Sequence, residues 1–245
     1  MGRVMLSPSM MCANFLHLER DLEVMASNGV ELLHVDIMDG HYVPNFTLGP
    51  DYCRALAKWG KIPMDIHLMN EDADRLADLF LDFPGAFVSF HPETVYHPVR
   101  TLQMIRERGA RPGIVVSPSV PLDQISPLLS YVELVCVMTV SPGYAGQKLI
   151  PETLGKITGL CEARTRMDLS FSVEVDGNVS WENIPRMVEA GADILVAGTS
   201  SIFKSGENLD SNIKRFRCLV ERQRRDAGLQ ENPALNANNI GIACT

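Results

Sequence analysis

Positive charge is scarce in this sequence. Against 30 Asp and Glu stand 22 Lys and Arg, a formal net charge of −8. Nucleic acids and anionic membranes need a basic face, so neither is expected as a partner. An anionic ligand would have to be held by local groups. Also missing is any apolar run of about 18 residues, so no transmembrane helix is expected. The opening "MGRVMLSPSMMCANF" has no basic segment followed by a sustained apolar core, and Leu6 stands where a myristoylation signal needs Ser or Thr. Neither a secretory leader nor a lipid anchor is expected. The cysteines at 12, 53, 136, 161, 218 and 244 form no Cys-x-x-Cys pair. That scatter suits free thiols in a reducing compartment better than a disulfide frame or zinc knuckle, and points to the cytoplasm. No Gly-x-Gly-x-x-Gly follows the first apolar run, which weakens a dinucleotide-binding open sheet.

What is present is an ordinary globular composition, 46% hydrophobic over 245 residues. Apolar period and turn punctuation predict strands over 4–9, 31–37, 63–68, 86–91, 113–117, 133–139, 171–176 and 193–197. Helical patterns fall between and after them, over 17–28, 50–59, 72–82, 98–109, 121–130, 151–167, 181–190 and 207–224. In the first, Leu18, Leu22 and Met25 form an apolar stripe that Gly29 stops; Gly109 and Gly191 end later helices in the same way. Eight βα units match a single (β/α)8 TIM barrel over 1–224, with a doubly wound sheet as the competitor. The Asn-rich remainder, 225–245, reads as an extension without an assigned role.

Barrels collect their chemistry at the C-terminal ends of the strands. The residues found there are Ser9; His34 and Asp36; His67; His91 and Glu93; Ser117; Met138 and Thr139; Asp176; and Gly198 with Thr199. His34 and Asp36 are two apart in one strand and therefore share a face. With His67 and Asp176 they make a mixed nitrogen and oxygen set suited to one Zn, Mn, Fe or Co ion. Each has a plainer alternative: a strand-end His can be a bonded core residue, and Asp176 in "VDGN" can serve a turn. Four buried polar groups together call for a common reason. Met38, Met69 and Met138 lie just beyond polar strand ends and could wall such a site. "DGNVS" and "GTSSIF" follow the seventh and eighth predicted strands, where barrels of this kind bind phosphate through backbone N–H groups, and "GTSSIF" could open a short helix. "SPGYAGQ" after the sixth reads either as a loop that moves or approaches a ligand closely, or as an ordinary Gly-rich turn.

These motifs, in this order, resemble the ribulose-phosphate 3-epimerase family. "SPSMMCANF", "HVDIMDGHYVPNFTLGP", "DIHLM", "VMTVSPGYAGQ", "EVDGN" and the Gly-Thr-Ser loop carry the resemblance, up to about residue 220. It implies metal ligation by His34, Asp36, His67 and Asp176, with Asp36 and Asp176 as the acid/base pair. It also implies substrate contacts from Ser9, His67, Gly143, Tyr144, Ala145, Gly146, Gly177, Asn178, Gly198, Thr199 and Ser200. The implied reaction inverts C3 of a ketose phosphate through an enediolate, without a redox cofactor, in a homo-oligomer (a dimer or hexamer). Ala145, "HPET", "VMTV" and "GTS" resemble the D-allulose-6-phosphate 3-epimerase branch, although Ser141 departs from both branches. The expected conversion is therefore D-allulose 6-phosphate to D-fructose 6-phosphate, with D-ribulose 5-phosphate to D-xylulose 5-phosphate as the alternative. An orotidine-decarboxylase-type lyase is a poor match, because Ile37 stands where its Asp-x-Lys-x-x-Asp array needs lysine. A non-catalytic sugar-phosphate or metal-binding protein is the remaining alternative, and the intact Asp36 and Asp176 pair argues against it.

Overall fold

A computed structural model describes residues 3–226. Eight strands, β1 (Met5–Pro8), β2 (Leu33–Met38), β3 (Met64–Met69), β4 (Phe87–Phe90), β5 (Arg111–Val116), β6 (Leu134–Met138), β7 (Ser172–Asp176) and β8 (Ile194–Ala197), form one sheet. All neighbours run parallel, in the order β1-β8-β7-β6-β5-β4-β3-β2. The two ends of the sheet meet through an isolated parallel bridge between Ser9 and His34. With eight helices outside, this is a single (β/α)8 TIM barrel. The helices are α1 (Leu18–Ser27), α2 (Pro50–Trp59), α3 (Ala73–Leu76), α4 (Pro98–Glu107), α5 (Leu122–Ile125), α6 (Leu154–Arg166), α7 (Ile184–Ala190) and α8 (Leu209–Asp226). Because α8 runs on to Asp226, the proposed extension from 225 begins inside a helix; 227–245 lies outside the described residues.

Period-two alternation divides every strand between two environments. Leu33, Val35 and Ile37 of β2 join the large apolar layer between strands and helices, while His34, Asp36 and Met38 point inward. Leu32, Phe87, Leu134 and Ile194 plug the N-terminal end of the barrel. On α8, Ile213, Phe216 and Val220 recur at helical spacing and are buried, each worth about 1.5–3 kcal/mol of apolar burial. Gly29 does stop α1, in the left-handed region at φ 62°.

Two predicted helices are interrupted. The segment 72–82 becomes α3 followed by a 3-10 turn (Ala77–Phe80), ahead of Pro84 and Gly85. The segment 121–130 becomes α5 followed by a 3-10 stretch (Ser126–Tyr131), because Pro127 has no N–H to continue an α-helix. Strand β5 begins at Arg111, two residues before the start expected at 113. Gly113 faces a crowded interior, where a Cβ would lie 2.9 Å from Ser89 Cβ. No disulfide joins the described cysteines, and no described helix is long and apolar enough to cross a membrane.

Candidate active site

Strand register brings the polar residues into pairs. His34 of β2 lies beside Asp65 of β3, and Asp36 beside His67. On the other side of the mouth, Met138 of β6 lies beside Asp176 of β7. Asp176 is held in place by Thr139, whose backbone N–H donates to the Asp176 carbonyl at 2.7 Å and whose hydroxyl donates to the carbonyls of Asp176 and Gly177.

The four predicted ligands come together. His34 Nε2 is 3.2 Å from Asp36 Oδ1 and 4.0 Å from Asp176 Oδ2. His67 Nδ1 is 3.4 Å and 3.9 Å from the same two oxygens. One donor atom from each residue lies within 4.8 Å of the others. Both imidazole nitrogens are buried and make no hydrogen bond, so two ring nitrogens converge with two carboxylates on one small space. Such orphaned nitrogens are costly unless something electrophilic sits between them. The donor set fits a divalent cation.

Each histidine also has a partner for its other nitrogen. His34 Nδ1 meets Asp65 Oδ2 at 2.5 Å, and His67 Nε2 meets His91 Nε2 at 3.0 Å. Ser9 Oγ donates to Asp36 Oδ2 at 2.8 Å.

The two candidate acid/base groups are electrostatically unlike. Burial alone would raise the pKa of Asp36, but His34 and His67 outweigh it and hold the carboxyl well below the usual range. For Asp176 burial dominates, reinforced by Asp36, and the pKa is pushed up to about 6. Burial also works against a charged His34, yet Asp36 and Asp65 raise it well above the ordinary imidazole range. Beneath the site Glu174, buried beside Asp65, is driven strongly toward its neutral form, first by desolvation and then by that neighbouring charge. Asp176 keeps 18% of its side chain exposed and Asp36 only 4%, so both reach the cavity from different depths.

That cavity is lined by Ser9, Asp36, Asp176, the three methionines, Gly143 to Gly146, Gly177, Asn178, Gly198, Thr199 and Ser200. His67, read as both ligand and substrate contact, does not line it; the side chain is fully buried behind Asp36. "GTSSIF" forms turns and no helix, since the N–H groups of Ser201 and Phe203 both donate to the Gly198 carbonyl. The loop after β6 packs tightly on the loop after β2: Gly143 has φ 112°, and a Cβ there would lie 2.9 Å from Val43 Cβ. Asn45 Nδ2 donates to the Gly143 carbonyl and the Tyr144 hydroxyl to the Pro44 carbonyl, both at 2.8 Å. Gln147 Nε2 closes the loop on the carbonyls of Ser141 and Tyr144.

A family model described as the Ribulose-phosphate 3 epimerase family matches residues 5–203. The chain belongs to that family. This epimerase is 41% identical over 204 residues to the ribulose-phosphate 3-epimerase of Treponema pallidum, across 82% of this chain and 91% of the relative. It is 39% identical over 207 residues to the Escherichia coli protein of the same name, across 83% and 90%. Among solved structures, KGPDC from Streptococcus mutans aligns with a TM-score of 0.63 at 14% identity, covering 90% of this chain and 98% of that one. A thiamine phosphate pyrophosphorylase from Pyrococcus furiosus aligns at 0.56 and 12%, covering 90% and 96%. At such identities these two speak for the barrel alone. The chain is thus an isomerase of the sugar-phosphate C3 epimerase family, and its His and Asp cluster could hold a metal ion.

Sequence reasoning missed Asp65 and Glu174. The signal was available: Asp65 precedes His67 by two residues and Glu174 precedes Asp176 by two, so each shares its partner's inward face.

Proposed function

We propose that this epimerase interconverts D-ribulose 5-phosphate and D-xylulose 5-phosphate. The sequence reading put the hexulose phosphate first, on the strength of Ala145 and three short motifs. The similar relatives, at 39–41% identity over most of their length, are named ribulose-phosphate 3-epimerases, which favours the pentulose. Ala145 does line the cavity, and it supports D-allulose 6-phosphate as the second reading.

The observation that carries the proposal is the unequal carboxyl pair facing one cavity. Asp36, held ionised, takes the C3 proton. Asp176 returns one from the other side of the mouth. In the reverse direction the two exchange roles. His34, Asp36, His67 and Asp176 would hold a divalent ion, which would supply electrophilic stabilisation of negative charge developing on the substrate. We assign it to the Zn, Mn, Fe or Co group, because two imidazoles are a poor match for Ca or Mg. Ser9 fixes the orientation of Asp36, and the methionines exclude water around the reacting carbon. The turns at Gly177-Asn178 and Gly198 to Ser200 receive the phosphate. We further expect a homo-oligomer, in the cytoplasm.

The test is kcat/KM for the two ketose phosphates side by side. A clear preference for ribulose 5-phosphate supports the proposal, and a preference for allulose 6-phosphate overturns the choice of substrate. If neither substrate takes up solvent deuterium at C3, the epimerase assignment itself fails.

A further inference from the structure

Four polar side chains outside the proposed ligand set are linked to His67. His91 stands at the end of β4, Glu93 two residues later, Ser117 after β5, and Tyr42 in the loop after β2. His91 is fully buried. Its Nε2 is 3.0 Å from His67 Nε2, and its Nδ1 is 3.0 Å from both Ser117 Oγ and the Tyr42 hydroxyl. Both hydroxyls donate to the same carboxylate oxygen, Glu93 Oε1, at 2.8 Å from Ser117 and 2.9 Å from Tyr42.

The direction of this chain follows from counting protons. A carboxylate can only accept, and each hydroxyl has one proton to give. The two hydroxyls also lie 3.1 Å apart, but the charged carboxylate is the nearer and stronger acceptor for both. With both protons committed to Glu93, Ser117 and Tyr42 accept from His91. The His91 Nδ1 therefore carries hydrogen and its Nε2 is bare. A bare Nε2 must accept, so His67 carries its hydrogen on Nε2, and His67 Nδ1 is left bare. His67 Nδ1 is the orphaned buried nitrogen that faces Asp36 and Asp176.

We propose that Glu93, acting through Ser117, Tyr42 and His91, sets the tautomer of His67 and so prepares its Nδ1 to hold the metal ion. Glu93 and His91 are positioning residues; neither lies on the wall of the substrate cavity. The inference rests on the metal-site reading above and extends it to which nitrogen is offered and why. His34 has an acceptor of its own in Asp65, whereas His67 abuts another histidine. An imidazole pair alone has no preferred direction, and Glu93 supplies it. Without that acceptor end, the hydroxyl protons can turn toward His91, reverse the chain and place hydrogen on His67 Nδ1.

The test measures metal binding, with Zn²⁺ affinity by chelator competition and the visible spectrum of the Co²⁺-loaded protein, on variants whose fold is checked by circular dichroism. Glu93→Leu and His91→Leu remove an acceptor or break the chain, and each is expected to weaken Zn²⁺ binding about 10–100-fold and to alter the Co²⁺ spectrum. Glu93→Gln keeps an acceptor oxygen, and His91→Gln keeps an acceptor and a donor in the same order. Both are expected to stay close to the parent affinity. Parent-like binding by the Leu variants overturns the proposal. So does a Gln variant that falls as far as its Leu counterpart while folded, since the effect would then be one of shape. A parent protein that binds neither metal sinks the metal-site reading instead, and the two failures are distinct.

Discussion

His34 and Asp65 meet in the middle of the barrel, Nδ1 to Oδ2 at 2.5 Å, with neither side chain reaching solvent. The contact places the Nδ1 hydrogen on the Asp65 side and leaves Nε2 for the site. Asp65→Asn can offer an N–H to Nδ1 and move the imidazole hydrogen to Nε2, closing a ligand atom. The expected result is a loss of about 10–100-fold in Zn²⁺ affinity. Removing one member of a buried charged pair also costs about 3–5 kcal/mol, so thermal unfolding should come earlier. Calorimetric titration and a melting curve check both; unchanged affinity would remove Asp65 from the account.

Asp176→Asn tests the acid/base role directly. The amide keeps the shape and cannot move a proton. Turnover is expected to fall by about 10²–10⁴, the usual range for general acid/base groups, with the fold intact by circular dichroism. Wild-type turnover in a metal-loaded variant would refute the role.

Metal binding should be opposed by acid. A cation needs His34 Nε2 and the Asp176 carboxylate free of protons. In the ion-free protein Asp176 holds a proton up to about pH 6, and His34 keeps its proton to a higher pH. Loading should therefore release about two protons below pH 6 and about one above it. Apparent affinity rises with pH, and more steeply on the acid side. Titrations in buffers of different ionisation enthalpy count the protons; a flat profile between pH 5 and about 7 would contradict the two assignments.

Gly177→Ala should damage chemistry more than stability. At φ 108° only glycine is at ease, and a Cβ would lie 2.7 Å from Val140 Cγ2 and 2.9 Å from Val140 N. Strain of this sort costs about 1–3 kcal/mol. Because Gly177 follows Asp176 directly, the displaced backbone carries the carboxylate with it. A lower kcat with a modest fall in melting temperature is expected. A change in melting temperature with kcat untouched would show that the backbone relaxes away from Asp176.

Much of this site was legible because barrel strands have a period of two and their ends face one mouth. That rule placed His34, Asp36, His67 and Asp176 together from spacing, and eight βα units suggested the barrel. Where the rule was applied only to strand ends it missed Asp65 and Glu174, one inward position deeper. Tyr42 was hidden for another reason. It lies in a loop 49 residues from His91, and only closure of the fold brings the two together. The preference for a hexulose leaned on Ala145, which lines the cavity, and on short motifs of which "HPET" lies off its wall. Helix breaks at Pro127 and before Pro84 show local chemistry overruling an apolar period.

The strand order gives the site a mechanical role as well. β2 and β3 stand at one end of the sheet, and β7 is third from the other. Asp36 and His67 therefore face Asp176 across the join that the Ser9–His34 bridge closes. An ion gripping all three would be the clasp on a hoop. Slower amide hydrogen exchange on Zn²⁺ loading should then concentrate in β1 and β2 and leave β4 and β5, on the far side, little changed. Uniform slowing would instead mean that the ion stabilises the barrel as a whole. On the clasp view, any substitution that loosens the ligands is also felt as slack in the hoop, along strands that take no part in the chemistry.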